Sequence, residues 1–520
     1  MSERLTKTAV VVGGGPVGCL AALSLARRGW KVDVYEARPD LREPASKKNT
    51  QLRSINLAIS HRGLAAIQVI DPLAAQRFLQ TVIPMKGRMI HDANCSLVSQ
   101  LYDKDGQCIN SIDRALLNES LLDQVSSAPN IRVFFKHKVQ LVDFDKKTMT
   151  VLDVESGTPV SVGFDLCVGA DGSYSVIRRQ MMKVVRMDFQ QEYLRDEYIE
   201  FKMPAGRGIA GEPVFLLDPG HLHIWPRHSF MFIALPNQAR DKSFTCTLFA
   251  PAAVLDGLGD RVIFLSWFKT HFRDAFELIG EDSLVAAWTQ NPRSPLICTK
   301  VSCRHSGGYV EMAERWKYLQ SNPYHHLDRA ILLGDAAHSM VPFYGQGLNC
   351  GLEDVRVLDT LLGEAQVEAT APAGLAPGTV DGRLAAALAR YSESRHDDLI
   401  AICDLAMANY LEMRHSVTTP VYIFRKALDK LLYSLTTRGA HSLSSLVPVL
   451  ARMTFATDVA GWIPLYTMVT FRPDISYGTA KRRAERQSQV LSMLGWFGTA
   501  AAVAGIVISR GLRGSNSLWK

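Results

Sequence analysis

The first residues with chemical potential are glycines. Gly13, Gly15 and Gly18 stand in the run Gly13-Gly-Gly-Pro-Val-Gly18, a G-x-G-x-x-G spacing. In such a run the first glycine permits a tight turn, the second lets backbone approach a pyrophosphate, and the third lets the next helix pack closely on its sheet. The N–H groups at the start of that helix, with their positive partial charge, suit phosphate. Glu36 comes eighteen residues after Gly18, placed to accept hydrogen bonds from an adenosine ribose. These residues indicate a dinucleotide without saying which one.

The elements that must position them are readable on either side. Ala9–Val12 is a continuous apolar run, as expected of a parallel strand buried on both faces. Val17–Arg28 has a helical pattern that stops at Gly29, and Lys31–Glu36 reads as a second strand. This is a βαβ opening. From about 185 to 300 the character changes: His221–Trp225, Phe230–Leu235 and Ser243–Phe249 are short alternating or aromatic runs between prolines and glycines, predicting antiparallel strands in a second lobe. Ala330–Leu333 returns to the buried-strand pattern. Residues 364–382 read as a flexible loop insertion, and 383–485 as mostly helical. The expected organisation is an α/β, Rossmann-type domain over 1–184, with strands around 80–112 lent to the second lobe, then an antiparallel-sheet substrate domain over 185–300. The chain then returns to the first domain over 301–363. The insertion, the helical region and a hydrophobic anchor helix over 490–509 complete the expected order.

Two later motifs narrow the dinucleotide. Phe164-Asp-Leu-Cys-Val-Gly-Ala-Asp-Gly-Ser173 is an apolar strand ending in Asp171-Gly172. Ala330-Ile-Leu-Leu-Gly-Asp-Ala-Ala-His338 is another, ending in Gly334-Asp335 and followed by Pro342-Phe-Tyr-Gly-Gln-Gly-Leu-Asn349. In this order the three motifs resemble the aromatic-hydroxylase branch of the flavoprotein monooxygenases. The resemblance implies bound FAD, with Asp335 on the ribityl hydroxyls and Asp171 supporting cofactor binding and the nicotinamide encounter. Gly347, Leu348 and Asn349 open a helical pattern whose free N–H groups suit the pyrimidine end of a reduced, anionic flavin. Val17, Ala37, Arg38, Ala58, Arg114 and Val139 match further cofactor positions. His338 is read as holding its turn rather than as a general base.

The likeness is closest to the kynurenine-hydroxylating members. Arg53–Gly63, Ile83–His91, Leu222–Arg227, Phe244–Phe249 and Ile463–Phe471 carry it. It implies L-kynurenine, NADPH and O2 as substrates, NADPH visiting transiently since no second glycine loop is present. Arg88 would pair with the kynurenine carboxylate, a charge-assisted contact, with Tyr102, Asn409, Glu412 and Tyr466 nearby. Glu412 lies three residues beyond Asn409, a spacing that shares a helix face. Phe343 and Tyr344 would lie between flavin and substrate, as the catalytic pair. Without the flanking motifs, Arg88 alone would read as a surface ion pair and Tyr466 as core.

Composition limits the alternatives. The 520 residues are 47% hydrophobic and 21% charged, enough for a sizeable core. The net charge is +7, but residues 481–520 hold seven basic residues against Glu485 alone. The rest is close to neutral, which argues against nucleic acid. Gln487–Ser509 contains no charge and is flanked by basic residues, long enough to span a bilayer at roughly twenty residues. It predicts a membrane anchor, as in the eukaryotic members of the likeness, which sit in the mitochondrial outer membrane with the catalytic body facing the cytosol. Nine scattered cysteines without a C-x-x-C pair imply a reducing compartment and no metal site. The polar start leaves no room for a cleavable leader before the first strand. Two other readings stand beside the first: a flavin monooxygenase acting on a phenol or lipid, and a membrane-tethered flavin-binding scaffold without turnover. The oligomeric state stays open.

Overall fold

In a computed structural model, residues 4–44, 46, 56–187, 189–238, 240–301, 324–372, 379–437 and 461–493 are described. Five parallel strands form the first sheet, in the order Ala330–Leu332, Leu166–Gly169, Thr8–Val12, Lys31–Tyr35, Ile131–Phe134. His325–His326 adds an antiparallel edge. Ala9, Val10 and Val11 are wholly buried, so successive side chains on both faces meet protein, which is why this strand carries no polar alternation. Because the strands are parallel, Gly13, Ala170-Asp171 and Gly334-Asp335 all leave the sheet at one edge. That edge, outside the carboxyl ends of the strands, is where open α/β sheets bind ligands.

The helix after the glycine run spans Pro16–Arg27, with Pro16 at its first position and Gly29 at φ +88° beyond its end. A three-stranded meander, His137–Asp143, Thr148–Asp153 and Pro159–Gly163, leads back to the central strand.

The second sheet has seven strands, in the order Ser294–Val301, Phe189–Met203, Phe244–Pro251, Phe230–Pro236, His221–Arg227, Gly87–His91, Leu97–Leu101. All neighbours are antiparallel except the pair His221–Arg227 and Gly87–His91. One face carries Phe201, Phe232, Phe244 and Leu248, which pack with Phe264, Phe268 and Phe272. These last come from Arg261–His271 and its end, the first of three helices reaching Gln290. The reading of 185–300 as strands did not include these helices. Their aromatic residues recur every fourth position, a helical stripe inside an aromatic-rich stretch. The other face, with Ile90, Ile224, Met231 and Phe249, joins the main core.

Two expectations change. Within 364–382, Thr370–Pro372 is a strand pairing antiparallel with Arg4–Thr6, so the start of the expected flexible loop is held to the sheet domain by backbone bonds. Residues 373–378 lie outside the described residues. Of the expected anchor over 490–509, residues 494–509 also lie outside. Val490 belongs to the helix over 477–493 and is buried. That helix is fixed to the body by Lys481 on Asp404 at 2.7 Å and by Arg483 donating to the Gly461 carbonyl. Its first expected anchor residue is therefore part of the folded body. Among the described residues no helix is long and apolar enough to cross a membrane.

Candidate functional site

The glycine run meets the requirements of a dinucleotide turn position by position. Gly13 has φ +107°, and a Cβ there would stand 2.4 Å from the Ala170 carbonyl oxygen. A Cβ on Gly18 would stand 2.0 Å from the Gly13 carbonyl oxygen. These two glycines are needed by the protein itself. Gly15 is different: a Cβ there would meet nothing within 4 Å. It lies at the mouth of the Pro16–Arg27 helix, open to an approaching phosphate. Val17 packs against Gly334 and Gly351, whose own Cβ atoms would lie 3.1 and 2.7 Å from its Cγ2. Thus the first motif and the last are in contact.

Glu36 ends its strand nearly buried. Its Oε2 accepts the Gly14 N–H at 2.8 Å, and its Oε1 accepts the Arg38 N–H and Nε, both at 2.9 Å. Burial pushes its carboxyl up, but the bonds from Arg38 and Gly14 outweigh that and hold it below the usual range. Ala37 and Arg38 are exposed beside it. The meander begins against this segment, since the His137 N–H donates to the Glu36 carbonyl at 2.9 Å, and Val139 is buried two residues on.

Asp335 is exposed while Ala330–Gly334 and Ala336–Ser339 are buried. Its carboxylate has no hydrogen-bond partner among the described residues, and the Gly334 turn at φ +58° presents it outward. Asp171 is the opposite case. Its Oδ1 accepts the Ser175 hydroxyl at 2.5 Å and its Oδ2 accepts the Val176 and Ile177 N–H groups at 2.6 and 3.2 Å. The carboxylate caps the helix Val176–Met181 rather than standing free, and burial raises its pKa. Asn349 is likewise used within the fold: its Oδ1 accepts the Ser60 N–H at 2.9 Å and its amide donates to the Ala58 and Gly345 carbonyls at 2.9 and 2.6 Å. This links Ala58 to the start of the helix Gly347–Glu364, whose first intrahelical bond comes at Cys350. The N–H groups of Gly347 and Leu348 therefore have no acceptor in the helix. The open space at Gly15, the outward Asp335 and these first-turn N–H groups fit a phosphate, a polyol and an anionic ring edge in that order, as a flavin dinucleotide presents them. Arg114 is exposed at the start of the helix Arg114–Ser127, where its charge acts on Glu200. No hydrogen bond or ion pair joins it to the glycine run among the described residues.

A second group of residues converges on Arg88, which is buried on the strand Gly87–His91. Arg88 Nη1 donates to Glu412 Oε1 at 3.2 Å and Nη2 to Asn409 Oδ1 at 3.4 Å. Among the described residues its buried Nε has no partner. Its guanidinium lies 5.3 Å from the Tyr466 ring and 5.9 Å from the Tyr102 ring. Tyr102 and Tyr466 stack at 4.8 Å, and Tyr466 stacks on Tyr344 at 5.7 Å. Tyr102 thus joins the group. Burial opposes the Arg88 charge, but Glu412 and the surrounding tyrosines hold its pKa well above the usual value. Phe343 stacks on Tyr410 at 4.0 Å, and its carbonyl accepts the Asn409 amide at 2.7 Å. The segment Pro342–Tyr344 therefore connects the Arg88 group to the helix Gly347–Glu364.

The sequence reading did not include Tyr410, which supports Phe343 and donates to Asp196. Nor did it include Tyr422, whose hydroxyl donates to Glu412 Oε1 at 2.8 Å. Gln100 and Lys426, bonded at 3.0 Å, were missed as well. For Tyr422 and Lys426 the sequence signal was their four-residue spacing, which puts them on one helix face; Gln100 carried none. His338 Nε2 donates to the Asp354 carboxylate at Oδ2, 2.5 Å away, and the same oxygen accepts the Gly334 N–H at 3.0 Å. It holds the turn that presents Asp335. His338, Cys350 and Asp354 lie close enough to share an ion, but the Arg395 guanidinium already sits on Asp354 Oδ1 at 2.8 Å and beside Cys350 Sγ at 3.5 Å.

Known proteins resemble the chain throughout. A family model described as an FAD binding domain matches residues 6–194 and 310–386. A kynurenine 3-monooxygenase of Cryptococcus neoformans is 42% identical, over 97% of this chain and 96% of that protein. One from Yarrowia lipolytica is 41% identical, over 95% of each. Among solved structures, 2-methyl-3-hydroxypyridine-5-carboxylic acid oxygenase shares the fold, at a TM-score of 0.56 and 20% identity, covering 82% of this chain and 96% of that one.

Proposed function

The chain belongs to the kynurenine 3-monooxygenase family of FAD-dependent enzymes, and from that premise we propose that it hydroxylates L-kynurenine at the ring carbon ortho to the amine. The overall reaction is L-kynurenine, O2, NADPH and H⁺ to 3-hydroxykynurenine, NADP⁺ and water. The observation that carries the substrate is Arg88: a buried guanidinium whose Nε has no partner among the described residues, walled by stacked tyrosines. A buried donor left without a partner is unfavourable by about 1–3 kcal/mol, and a substrate carboxylate supplies the acceptor. Glu412 and Asn409 then face the amino-acid end, and Tyr344, Tyr466 and Phe343 flank the ring.

When bound, FAD would supply hydride acceptance from NADPH and oxygen activation; the chain's part is to hold, orient and keep dry. Gly13–Gly18 and Glu36 would hold the adenosine diphosphate end, Asp335 the ribityl chain, and the Gly347 and Leu348 N–H groups the pyrimidine edge. The buried rings of Phe343 and Tyr344 exclude water from the space between cofactor and substrate. The aniline nitrogen of the substrate itself enriches the ortho carbon, so the ring needs no strong protein base. Arg88 favours this reading over a neutral lipid or a neutral phenol, since neither offers it a carboxylate. The test is NADPH oxidation by the FAD-loaded protein with and without L-kynurenine. Kynurenine-dependent oxidation with 3-hydroxykynurenine as product is expected. Oxidation indifferent to kynurenine, or yielding peroxide alone, would overturn the reading.

The uncharged run Gln487–Ser509 between basic residues supports attachment to a membrane, and the likeness to the eukaryotic members of the family points to the mitochondrial outer membrane with the catalytic body in the cytosol. Full-length chain should sediment with membranes through alkaline washing, and a chain ending at Met493 should not. Equal solubility of the two would remove the attachment.

A further inference from the structure

The helix Pro420–Thr437 covers the Arg88 end of the site. From its first turn, Tyr422 donates to Glu412 Oε1, the oxygen that also accepts from Arg88 Nη1. One turn later, Lys426 Nζ donates to Gln100 Oε1 at 3.0 Å, with its nitrogen 5.7 Å from the Tyr422 ring centroid. Gln100 stands directly opposite Arg88 in the antiparallel ladder, and its amide donates to the Val417 carbonyl at 3.3 Å. Lys426 is thus tied to the strand beside Arg88 by one bond. The charged or titratable groups acting on it are Arg88 from the sheet, Glu412 from the helix Gly382–Arg414, and Lys430 and Tyr422 from its own helix.

This arrangement places two basic groups, Arg88 and Lys426, where both feel one carboxylate, Glu412, while Lys430 acts on Lys426 from its own helix. Burial, then Arg88 and Lys430, pull the Lys426 ammonium down to about 7, with Glu412 opposing. The substrate end read above brings a second carboxylate to Arg88. In surroundings of low dielectric that charge favours an ammonium nearby.

We propose that Lys426 is a substrate-positioning and specificity residue: it is the second cation of the carboxylate subsite and takes up a solvent proton as the substrate carboxylate reaches Arg88. The proposal rests on the functional reading above. The amine lone pair forms the new N–H bond and no redox change occurs. Through Gln100 and Tyr422 the charged lysine braces both flanks of Arg88, the strand beside it and the Glu412 carboxylate. An analogue in which the carboxylate is absent would bring no proton with it.

The sign of the pH effect follows. A group whose pKa rises on binding makes the ligand bind more weakly as pH rises through the free value. With FAD-loaded enzyme, kynurenine Kd is measured from the flavin absorbance change between about pH 6 and about pH 8.5. Wild type should weaken about tenfold across that range and take up protons on binding in weak buffer, seen with a pH dye. K426M should bind about tenfold more weakly at the acid end and show a flat profile. K426R, always charged, should restore tight binding with the same flat profile. The decarboxylated analogue should show no slope with wild type. A purely structural role for Lys426 would shift Kd without flattening its pH profile. A K426M variant that keeps the wild-type slope, or a wild type with no slope and no proton uptake, overturns the proposal. Failure of the folded, FAD-loaded wild type to bind kynurenine at any pH overturns the functional reading, and the proposal with it.

Discussion

Arg88 and Asp335 belong to different parts of the site and stand in different surroundings. Among the described residues, buried Arg88 has no partner for its Nε and exposed Asp335 none for its carboxylate. Asp335 makes no side-chain hydrogen bond among the described residues, and Arg88 keeps its Nε unused beside its bonds to Glu412 and Asn409, whereas the side chains of Asp171 and Asn349 are used up within the fold. Removing each should therefore damage one ligand and not the other. Arg88→Ala should raise KM for kynurenine roughly 10- to 100-fold, since a hydrogen bond to a charged group contributes about 1.5–3 kcal/mol, while flavin absorbance after gel filtration stays that of wild type. Asp335→Ala should release FAD on gel filtration, with thermal stability of the flavin-free protein unchanged. Unaltered kynurenine KM in the first variant would remove Arg88 from the substrate end, and full flavin retention in the second would remove Asp335 from the ribityl role.

At the scale of elements, the turn at Gly13–Gly18 separates what the fold needs from what the ligand needs. Gly13→Ala puts a methyl 2.4 Å from a backbone oxygen at φ +107°, so it should lower the melting temperature even without flavin. Gly15 has φ −75° and ψ 175°, an ordinary extended conformation, with empty space at its Cβ. Gly15→Ala should leave the melting temperature of flavin-free protein unchanged yet weaken FAD binding at least about tenfold, because the methyl occupies the phosphate approach. Equal FAD affinity in Gly15→Ala, measured by flavin fluorescence titration, would show that no phosphate comes close there. The βαβ turn was legible because each of its residues answers to a local constraint: a glycine for a clash, an apolar run for two-sided burial. The convergence on Arg88 was legible only through resemblance, since Arg88 lies hundreds of residues before Asn409 and Tyr466 and no local pattern joins them. Tyr422 and Lys426 were missed for the same reason, because their helix shows its spacing but not what it covers. The helices of 261–290 were missed because an aromatic-rich stretch suits strand or helix until its period is followed. The strand Thr370–Pro372 was missed because its alanine and proline carry no strand signal, and its partner at Arg4–Thr6 is remote.

Across the whole molecule, one buried ionic cluster binds the sheet domain to the C-terminal helices. Arg62 donates to Glu353 Oε1 at 2.6 Å and to the backbone carbonyls of Val469, Arg472 and Ile475 at 3.1, 3.0 and 2.7 Å. Arg395, from the helix Gly382–Arg414, donates to Glu353 Oε2 at 3.0 Å and to Asp354 Oδ1 at 2.8 Å. Asp354 in turn holds His338 and the Gly334 turn that presents Asp335. The cofactor edge and the C-terminal segment that carries Tyr466 are therefore fastened at one point. Burial disfavours the Asp354 carboxylate, but His338 and Arg395 outweigh it and bring its pKa to about 2; Glu353 is lowered likewise, against its burial, by Arg395 and Arg62. A carboxyl depressed in the folded state stabilises it above the unfolded pKa near 4, and that stability is lost as pH falls through the folded value. For Asp354 it amounts to about 2 kcal/mol. Acid unfolding of wild type, followed by tryptophan fluorescence, should thus be spread between about pH 4 and about pH 2. Arg395→Met removes one partner and leaves buried carboxylates short of a cation, which typically destabilises by about 3–5 kcal/mol. Its acid midpoint should rise by at least about one pH unit, and kynurenine turnover should fail at the same pH as flavin is lost. An Arg395→Met protein with wild-type urea stability and an unmoved acid midpoint would mean that the cluster does not join the two halves.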